Sequence, residues 1–561
     1  MTAYAATGDD LANLRIALIA ASSRAAAEAW AESAGVEPTC TFTGPELMRS
    51  GRDARRDLAA FKVDAVVVHS ADWSRQVYPQ LYDLVLLIAP VSRRYRVDDS
   101  GAAVQRVRRR ALMGSLARLP ADVVAGVATL LRPVGAPTGS APLPPSEKPW
   151  VLAIWRGSPD AQVGGSVTHI SGVLSGFKHA GYAIGLVTAG RVPVQVAAVA
   201  DEVVVAAPAS RASRVGADLE RVATNRQLLT AARSLADKVR PAFVYQRHEF
   251  MLDTGLTLSR EIDRPFVLEW NSSEIWARVN WRSVGPIDRM FKRLVMRRAV
   301  QLETSLARGA SIVAAVSSVA AEMARAAGAS ADRVIVVPNG VDTDEIRAAT
   351  PNGCNHPHQY LGWIGSFGPW HGADVAVSAL THLPANVRLI MIGDGVERLP
   401  TMELATSLGV ADRVQWTGRL DHSDAISRLA ACDVLICPHV DLKGQRFFGS
   451  PTKVFEYLAL GKPIVASRLE QLDEVLDDGG TAILVEPGDA RSLAEGVSRI
   501  LGSPELALSL GAAARAEAVS HHTWRVRADT ILDCLGGPTV LKQHESATKG
   551  SGRDVRDHGR L

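Results

Sequence analysis

Two glycine-rich segments each follow an apolar strand pattern and precede an apolar helix pattern. They are Val163–His169 (VGGSVTH) and Ile364–Gly372 (IGSFGPWHG). Their small residues include Gly164, Gly165, Gly365 and Ser366. Glycine permits a tight turn, and the helix start that follows offers unpaired N–H groups to an anion or a sugar hydroxyl. The spacing matches neither G-x-x-x-x-G-K-[ST] nor G-x-G-x-x-G, which disfavours nucleotide hydrolases and dehydrogenases. A plain βα turn remains the alternative for the first segment.

A lysine and a glutamate fall at one predicted helix start, in the run FFGSPTKVFEYLALGKPIVAS. Positive charge at a helix N-terminus is unfavourable unless an anion compensates it, so Lys453 predicts a phosphate contact, with a solvated lysine as the alternative. We expect Glu456 to be an exposed first-turn carboxylate that can accept bonds from paired sugar hydroxyls.

Polar residues also end two predicted strands of the first half. Arg247 and His248 follow one strand, Glu269 and Asn271 end another, and His169 closes the first glycine-rich segment. These side chains could meet an acceptor or a reacting centre at the sheet edge. Loop packing for the histidines, and a helix-start role for Asn271, stay open.

The chain divides at a proline-rich linker, Pro133–Pro149, with six prolines in 17 residues. Before it, apolar runs predict strands at Leu14–Ala20, Asp64–His69 and Leu84–Ala89, hence a small α/β domain. After it, strands alternate with helices twice over, which predicts two successive doubly wound parallel sheets. The polar tail is expected to be disordered. The predicted segments are 1–132, the linker 133–149, 150–340, 341–520, a C-terminal helix 521–538 and the tail 539–561.

Composition excludes several classes of protein. The 561 residues include 62 Lys plus Arg against 59 Asp plus Glu, and the net charge of +3 does not favour nucleic-acid binding. Five scattered cysteines without a C-x-x-C pair indicate reduced thiols, and no acidic cluster of the D-x-D type predicts a metal site. Neither a signal peptide nor a run of about 20 apolar residues is present, so we expect a cytoplasmic protein.

Local basic clusters nevertheless suggest a membrane-facing side. Arg289–Arg298 (RMFKRLVMRR) repeats cations at helical spacing. In the leading domain, Arg93–Arg96 and Arg106–Arg110 precede the apolar segment Leu119–Leu131. Such surfaces can rest on anionic headgroups, which would place the protein peripherally on the inner face of the plasma membrane; an ordinary solvated face is the alternative.

Four segments in this order resemble the retaining GT-B glycosyltransferases of glycosyltransferase family 4, from Trp150 to about Leu535. They are VGGSVTH, VVPNGVD at Val336–Asp342, IGDG at Ile392–Gly395, and the SPTKVFEYLALGKPIVAS run followed by EPGD at Glu486–Asp489. The resemblance implies an α/β fold of two facing Rossmann-like domains, here preceded by the smaller α/β domain. It also implies that the helix 521–538, with Trp524, crosses back to the first of these two domains.

The resemblance also implies roles for particular residues. Glu456 would bind the ribose hydroxyls of a nucleotide-sugar donor, and Trp416 and Thr417 would cradle its base. The remaining donor-site residues would be Gly365, Ser366, Gly393, Ser450, Thr452 and Lys453. The acceptor side would hold Gly164, Gly165, Glu269 and Asn271, with His248, Arg247 and His169 as candidate catalytic residues.

Three positions depart from the family pattern. Phe448 stands where the family has its first glutamate, and Ser366 and His371 stand where a basic pair is usual. Lys453 is the expected replacement cation, with Arg446 and Lys443 as weaker candidates.

The sequence therefore predicts transfer of a sugar, with retention of configuration, from a UDP- or GDP-linked donor to a polysaccharide or glycolipid hydroxyl in cell-envelope or extracellular polysaccharide synthesis. No cofactor is expected. Two alternatives stay open: a sugar-nucleotide epimerase of the same fold, and an inactive partner protein that binds the donor.

Overall fold

The computed structural model describes three α/β units. Its described residues are 5–6, 11, 14–21, 24–34, 36–43, 61–70, 73, 76–89, 91–98, 104–129, 148–157, 164–210, 213–280, 292–349, 357–441 and 446–536. Most of the linker (133–147), Lys443 and the tail from 537 lie outside this part of the chain.

The leading unit is a six-stranded sheet in the order β1-β6-β5-β4-β2-β3, mainly parallel with antiparallel pairing at β1 and β6. Its strands are β1 Ala5–Ala6, β2 Ile16–Ala20, β3 Cys40–Thr43, β4 Ala65–Ser70, β5 Arg93–Asp98 and β6 Val104–Arg106. Its helices are α1 Arg24–Ser33, α2 Pro79–Ile88, α3 Arg109–Ala117 and α4 Leu119–Thr129.

The strand predicted at Leu84–Ala89 is wrong, because these residues end helix α2. Pro79 occupies its first turn, where proline is well tolerated, and Tyr82, Val85 and Leu86 face the core at helical spacing. The neighbouring strand of the sheet is β5, whose three arginines interrupt the apolar pattern by which a buried strand is predicted. Arg94 is buried and donates to the carbonyls of Leu86 and Ala89 at the end of α2, so it caps a helix rather than facing a membrane.

The first large unit is a seven-stranded parallel sheet in the order β13-β12-β11-β10-β7-β8-β9. Its strands are β7 Trp150–Ile154, β8 Ala183–Thr188, β9 Glu202–Val205, β10 Phe243–Arg247, β11 Phe266–Trp270, β12 Ile312–Ala315 and β13 Val334–Val336. Its helices are α5 Gly165–His179, α6 Val194–Val199, α7 Ala217–Val239, α8 Thr254–Ile262, α9 Glu274–Asn280, α10 Lys292–Gly309 and α11 Ser318–Ala326.

The second large unit is a six-stranded parallel sheet in the order β16-β15-β14-β17-β18-β19. Its strands are β14 Gln359–Ile364, β15 Val387–Ile392, β16 Val414–Gly418, β17 Val434–Cys437, β18 Ile464–Ser467 and β19 Ile483–Val485. Its helices are α12 Ala373–Ala379, α13 Arg398–Ser407, α14 His422–Ala430, α15 Thr452–Leu460, α16 Glu470–Val475, α17 Ala490–Leu501 and α18 Pro504–His521.

Both large sheets are covered by helices on their two faces. Every residue of β8 and of β17 is buried, as expected for central parallel strands that alternate with helices. This burial explains why the strands appear in the sequence as continuous apolar runs.

The last helix, α19 Trp524–Cys534, returns to the first large unit and packs on α5. A Cβ at Gly172 would lie 2.1 Å from the Trp524 indole, and a Cβ at Gly176 would lie 2.3 Å from the Trp524 carbonyl oxygen. The two glycines therefore let the helices approach closely, and the expected crossover is formed.

Arg214 makes several of the hydrogen bonds by which the leading unit docks on the first large unit. Arg214, in the short 3-10 turn before α7, donates to the carbonyls of Trp73 and Gln76 at 2.8 and 3.1 Å. In return, the Tyr78 amide donates to the Arg214 carbonyl at 2.8 Å.

The close packing of α5 and α19 makes a prediction. Gly172→Ala should destabilise the protein by about 1–3 kcal/mol, because the new methyl group collides with the Trp524 ring. Gly114→Ala is the matched control: it lies inside helix α3 with nothing within 4 Å of the added Cβ. The control should be neutral or stabilising by up to about 1 kcal/mol. Thermal unfolding of both variants measures the difference, and an equally stable Gly172→Ala protein would contradict the packing.

Candidate functional site

A cavity of about 470 Å³ lies between the two large units. It opens at the carboxyl ends of β14 and β15, beside the point where the strand order of the second sheet reverses, the usual ligand position in such sheets. Gly164, Gly165 and Thr168 line it from the first unit. From the second unit it is lined by Gly365, Ser366, His371, Gly393, Asp394, Arg419, Leu420, His422, Thr452, Lys453 and Glu456, among others. The two glycine-rich segments thus meet at one site.

Two helix N-termini from different units meet at this cavity. Helix α5 begins at Gly165 and α15 at Thr452, and neither has a side-chain cap. A Cβ at Gly165 would lie 3.2 Å from the Thr452 hydroxyl oxygen, so the two ends lie close together. Their first-turn N–H groups and positive dipole ends favour an anion between them.

Lys453 adds a cation to these two helix ends. It is buried, its Nζ donates to the Ile364 carbonyl at 2.9 Å, and it lies 5.0 Å from the centroid of the Trp363 ring. Burial lowers the pKa of this amine. The alternative of a solvated lysine is therefore wrong, whereas a phosphate contact, which would compensate this buried charge, stays a prediction.

Gly393 holds the two loops of the second unit in contact. Its φ is +124°, and a Cβ there would lie 1.9 Å from the Gly365 carbonyl oxygen. Any larger residue would push the loops apart, which explains the glycine in IGDG.

Glu456 lies in the second turn of α15 and is buried, so the expectation of an exposed first-turn carboxylate is wrong. The helix starts at Thr452, and this start carries the side chain inward to the cavity wall. Its Oε1 accepts a hydrogen bond from His422 Nε2 at 3.0 Å. Substitution of Glu456 therefore disturbs a buried ion pair as well as a ligand contact.

The second glycine-rich loop lacks the basic pair of the family, because Ser366 and His371 stand in its place. His371 Nδ1 accepts from the Gly368 amide at 3.4 Å, and burial, with the nearby Lys453 charge, lowers the His371 pKa to about 2. His371 is therefore a neutral ring. Arg446 does not replace it, since its side chain pairs with Glu322 at 2.5 Å and Glu470 at 3.3 Å.

Phe448, in the position of the family's first glutamate, joins the two large units. Its ring packs edge-on against Trp276 of α9 at 5.1 Å, and its carbonyl accepts from the Ser317 hydroxyl at 2.7 Å. It also lines a smaller cavity of about 210 Å³ together with His371, His439 and Ser450.

Three expected donor-site residues do not line the main cavity. Trp416 packs beside Phe367, Thr417 donates to the Gly418 carbonyl at 2.9 Å, and Ser450 bonds to Asn339 and Gln471. The residues after the Trp416 strand reach the cavity instead. The lining residues that lie outside every motif singled out in the sequence are Gln195, Arg419, Leu420, His422 and Ala425. The usable signal for Arg419 and Leu420 is their position directly after β16.

His169, Glu269 and Asn271 form a buried network beneath the first unit's sheet edge. His169 Nε2 lies 2.8 Å from Glu269 Oε2, and its Nδ1 contacts the Asn339 amide oxygen. Tyr245 and Asn271 also donate to Glu269, and Arg247 Nε lies 3.7 Å from it. Burial alone would raise the pKa of the Glu269 carboxyl, but His169 and Arg247 hold it well below its usual range. None of these residues lines the main cavity.

His248 belongs to a second buried network. Its ring stacks on Trp270 at 4.4 Å, and its Nε2 lies 3.1 Å from Glu303 Oε2. Glu303 also accepts from the Glu274 and Ile275 amides at the start of α9. Glu303, which His248 contacts, therefore fixes the start of α9, and a catalytic role for His248, Arg247 or His169 stays a prediction.

Two facing Rossmann-like units with a crossover helix and a cleft between their carboxyl edges define the GT-B class of glycosyltransferases. Sequence models of two families match the chain: "Glycosyltransferase Family 4" over residues 163–345 and "Glycosyl transferases group 1" over residues 358–503. Residues 163–503 thus match GT-B glycosyltransferases of the family 4 type almost throughout.

Curated relatives match part of the chain. A phosphatidyl-myo-inositol mannosyltransferase of Mycobacterium leprae is 29% identical over 204 residues, covering 35% of this chain and 52% of that protein. A D-inositol 3-phosphate glycosyltransferase of Xylanimonas cellulosilytica is 30% identical over 259 residues, covering 43% and 60%. The chain thus spans about half to three fifths of the length of these relatives.

The fold also matches a solved structure. HepE of Anabaena, crystallised with UDP and glucose, superposes with a TM-score of 0.52 at 20% identity, covering 69% of this chain and 99% of that one. This likeness concerns the fold alone.

The anion site makes a prediction that needs no knowledge of the ligand. Lys453→Met should weaken binding of inorganic pyrophosphate about 10- to 150-fold, since a hydrogen bond to a charged group contributes about 1.5–3 kcal/mol. Lys462→Met is the matched control, because Lys462 is also a buried lysine with a pKa lowered by burial but does not line the cavity. Calorimetric titration compares the three proteins. Equal affinities would remove Lys453 from the anion site.

Proposed function

We propose that the protein transfers a sugar from a UDP- or GDP-linked donor to an acceptor hydroxyl with retention of configuration. The observation that carries this proposal is that one cavity is lined by two helix N-termini with Lys453, and beside them by Glu456. The first group suits a diphosphate, and the carboxylate suits ribose hydroxyls. The helix ends and the lysine would stabilise the departing diphosphate while the acceptor hydroxyl attacks from the same face.

The acceptor that we propose is a glycolipid of the phosphatidylinositol type. Both relatives described above are named for inositol-containing acceptors or their phosphates. A polysaccharide acceptor in envelope synthesis is the alternative class.

The proposal predicts acceptor-dependent turnover. UDP-glucose or GDP-mannose should raise the melting temperature of the full chain, and addition of phosphatidylinositol in mixed micelles should release nucleoside diphosphate and yield a glycolipid with the donor's anomeric configuration. Phosphate assay, mass spectrometry and NMR coupling constants measure these outcomes. An epimerised sugar or free nucleotide formed without acceptor would indicate the epimerase, and binding without any turnover would indicate an inactive partner.

A lipid acceptor would require contact with a membrane surface, and we propose that helix α10 supplies it. No described helix is long and apolar enough to cross a bilayer. Lys292, Arg293, Arg297 and Arg298 are all exposed on α10, beside exposed Leu294. The rest of the basic run, 289–291, lies outside the described residues.

The leading unit offers a second exposed basic surface near α3. Its exposed cations are Arg106, Arg108, Arg109, Arg110 and Arg118. Met113 and Val124 are 59% and 70% exposed on the same helical hairpin. Arg96 does not belong to this surface, because it pairs with the buried Asp83.

The membrane proposal predicts salt-sensitive binding. Each basic residue near an anionic surface contributes about 1 kcal/mol, so changing the four α10 cations to Gln should release most protein from anionic liposomes at low salt. Substitution of Lys178 and Lys238, which pair with Asp201 and Glu202, is the control. Sedimentation measures the bound fraction. Equal recovery from anionic and neutral liposomes would leave α10 as a solvated face.

A further inference from the structure

His422 occupies a position that the proposed donor contacts do not explain. It begins helix α14, its side chain is 24% exposed, and it lies between the main cavity and a second cavity of about 230 Å³ at the junction of the two large units. Both cavities are lined by His422 and Glu456. A substitution at His422 therefore alters the lining of both cavities beside the Glu456 carboxylate.

The two ring nitrogens of His422 face two carboxylates. Nε2 donates to Glu456 Oε1 at 3.0 Å, and Nδ1 lies 3.7 Å from Glu345 Oε1. Because an uncharged imidazole carries a proton on one nitrogen only, the other would present a lone pair to a carboxylate. The arrangement therefore favours the imidazolium.

Glu345 is held in place by the second unit. Its amide donates to the Asp342 carboxylate at 3.0 Å, and Arg515 of α18 donates to the nearby carbonyls of Thr343 and Ile346. The Glu345 side chain is 66% exposed and lines only the smaller of the two cavities. It can thus influence His422 without touching a ligand in the main cavity.

We propose that His422 is a positioning residue of the donor site: as an imidazolium between Glu345 and Glu456, it orients the Glu456 carboxylate and offsets its charge. This inference rests on the proposed donor function. The main cavity must accept a diphosphate beside Glu456, and an uncompensated carboxylate would repel it. With Oε1 held by His422, Oε2 is left to accept a ligand hydroxyl. Donor affinity should therefore fall when His422 loses its proton.

The surroundings of His422 set the direction of its titration. The hydrogen bond to Glu456 and the charges of Glu456 and Glu345 raise its pKa above the usual value, against an opposing effect of burial. Other charged groups around the two cavities are Asp342, Asp394, Arg419 and Lys453, and Asp421 and Asp424 flank His422 on its own helix. His371 stays neutral across this range. Donor binding is thus expected to be tight below the raised pKa of His422 and to weaken as pH rises through it.

The test is the pH dependence of nucleotide-sugar binding to the full chain. UDP-glucose and GDP-mannose are suitable probes, since their esterified diphosphates keep a constant charge between about pH 5.5 and 8.5. Affinity of the wild type should fall about five- to tenfold across a midpoint above about pH 6.5, a loss comparable to one ordinary hydrogen bond. His422→Gln, which can still donate to Glu456 but cannot titrate, should bind weakly at every pH.

Glu345→Gln tests the midpoint of the pH dependence, which would not shift if His422 had a purely structural role. It should shift the midpoint to lower pH by about 0.2–0.7 unit, as expected for one largely exposed charge pair. Glu403→Gln, at an exposed carboxylate of α13 outside both cavities, should leave the midpoint unchanged. A wild-type affinity independent of pH, an unshifted midpoint in Glu345→Gln, or a titration that persists in His422→Gln would overturn the role of His422 alone. If neither nucleotide sugar binds the wild type at any pH, the donor function fails, and this inference fails with it.

Discussion

The hydrogen bonds of one buried amide, Asn339, hold the two large units in register. Its backbone N–H donates to Ser450 Oγ at 2.9 Å, and its side-chain N–H donates to the Ser450 carbonyl. Its side-chain oxygen meets His169 of α5, and its backbone carbonyl accepts from Arg527 of α19 at 3.0 Å. One residue therefore joins the first glycine-rich helix, the loop before α15 and the crossover helix. Since the two anion-binding helix ends belong to different units, the cavity exists only while this junction is made.

The anion site depends on this register because it contains little fixed positive charge. Among the described residues that line the cavity, the cationic side chains are Lys453 and the exposed Arg419, with His422 as a titratable third. His371 is neutral, and Arg446 is paired with two glutamates. Backbone N–H groups at two helix ends must therefore supply much of the attraction for a diphosphate. Such groups act over the first turn only, so a small opening between the units would weaken them sharply.

The sequence predicts the features that depend on local pattern and fails where long-range packing decides. The parallel strands and the two glycine-rich loops follow from apolar runs and turn residues, the crossover helix follows from the family resemblance, and the GT-B fold is confirmed. The segment Leu84–Ala89 was ambiguous because a short apolar run suits either a strand or a buried helix, and β5 was hidden because Arg94 and Arg96 are neutralised by carbonyls and by Asp83. The pairing of Glu456 with His422, 34 residues earlier, has no local signal, so the burial of that carboxylate could not be predicted.

Phe448 shows how a departure from a family pattern can be structural in purpose. A carboxylate at this position would have to be solvated or paired, whereas the phenyl ring packs on Trp276, and α9, which carries Trp276, is fixed by Glu303 at its first turn. Glu303 in turn binds His248. The contact thus links the loop before α15 to the buried network of the first unit, two residues before Ser450, which bonds to Asn339. Loss of a polar group at the smaller cavity is therefore coupled to a gain of apolar contact between the units. Phe448 in place of the family's glutamate therefore departs from the family pattern and, at the same time, strengthens the junction on which the anion site depends.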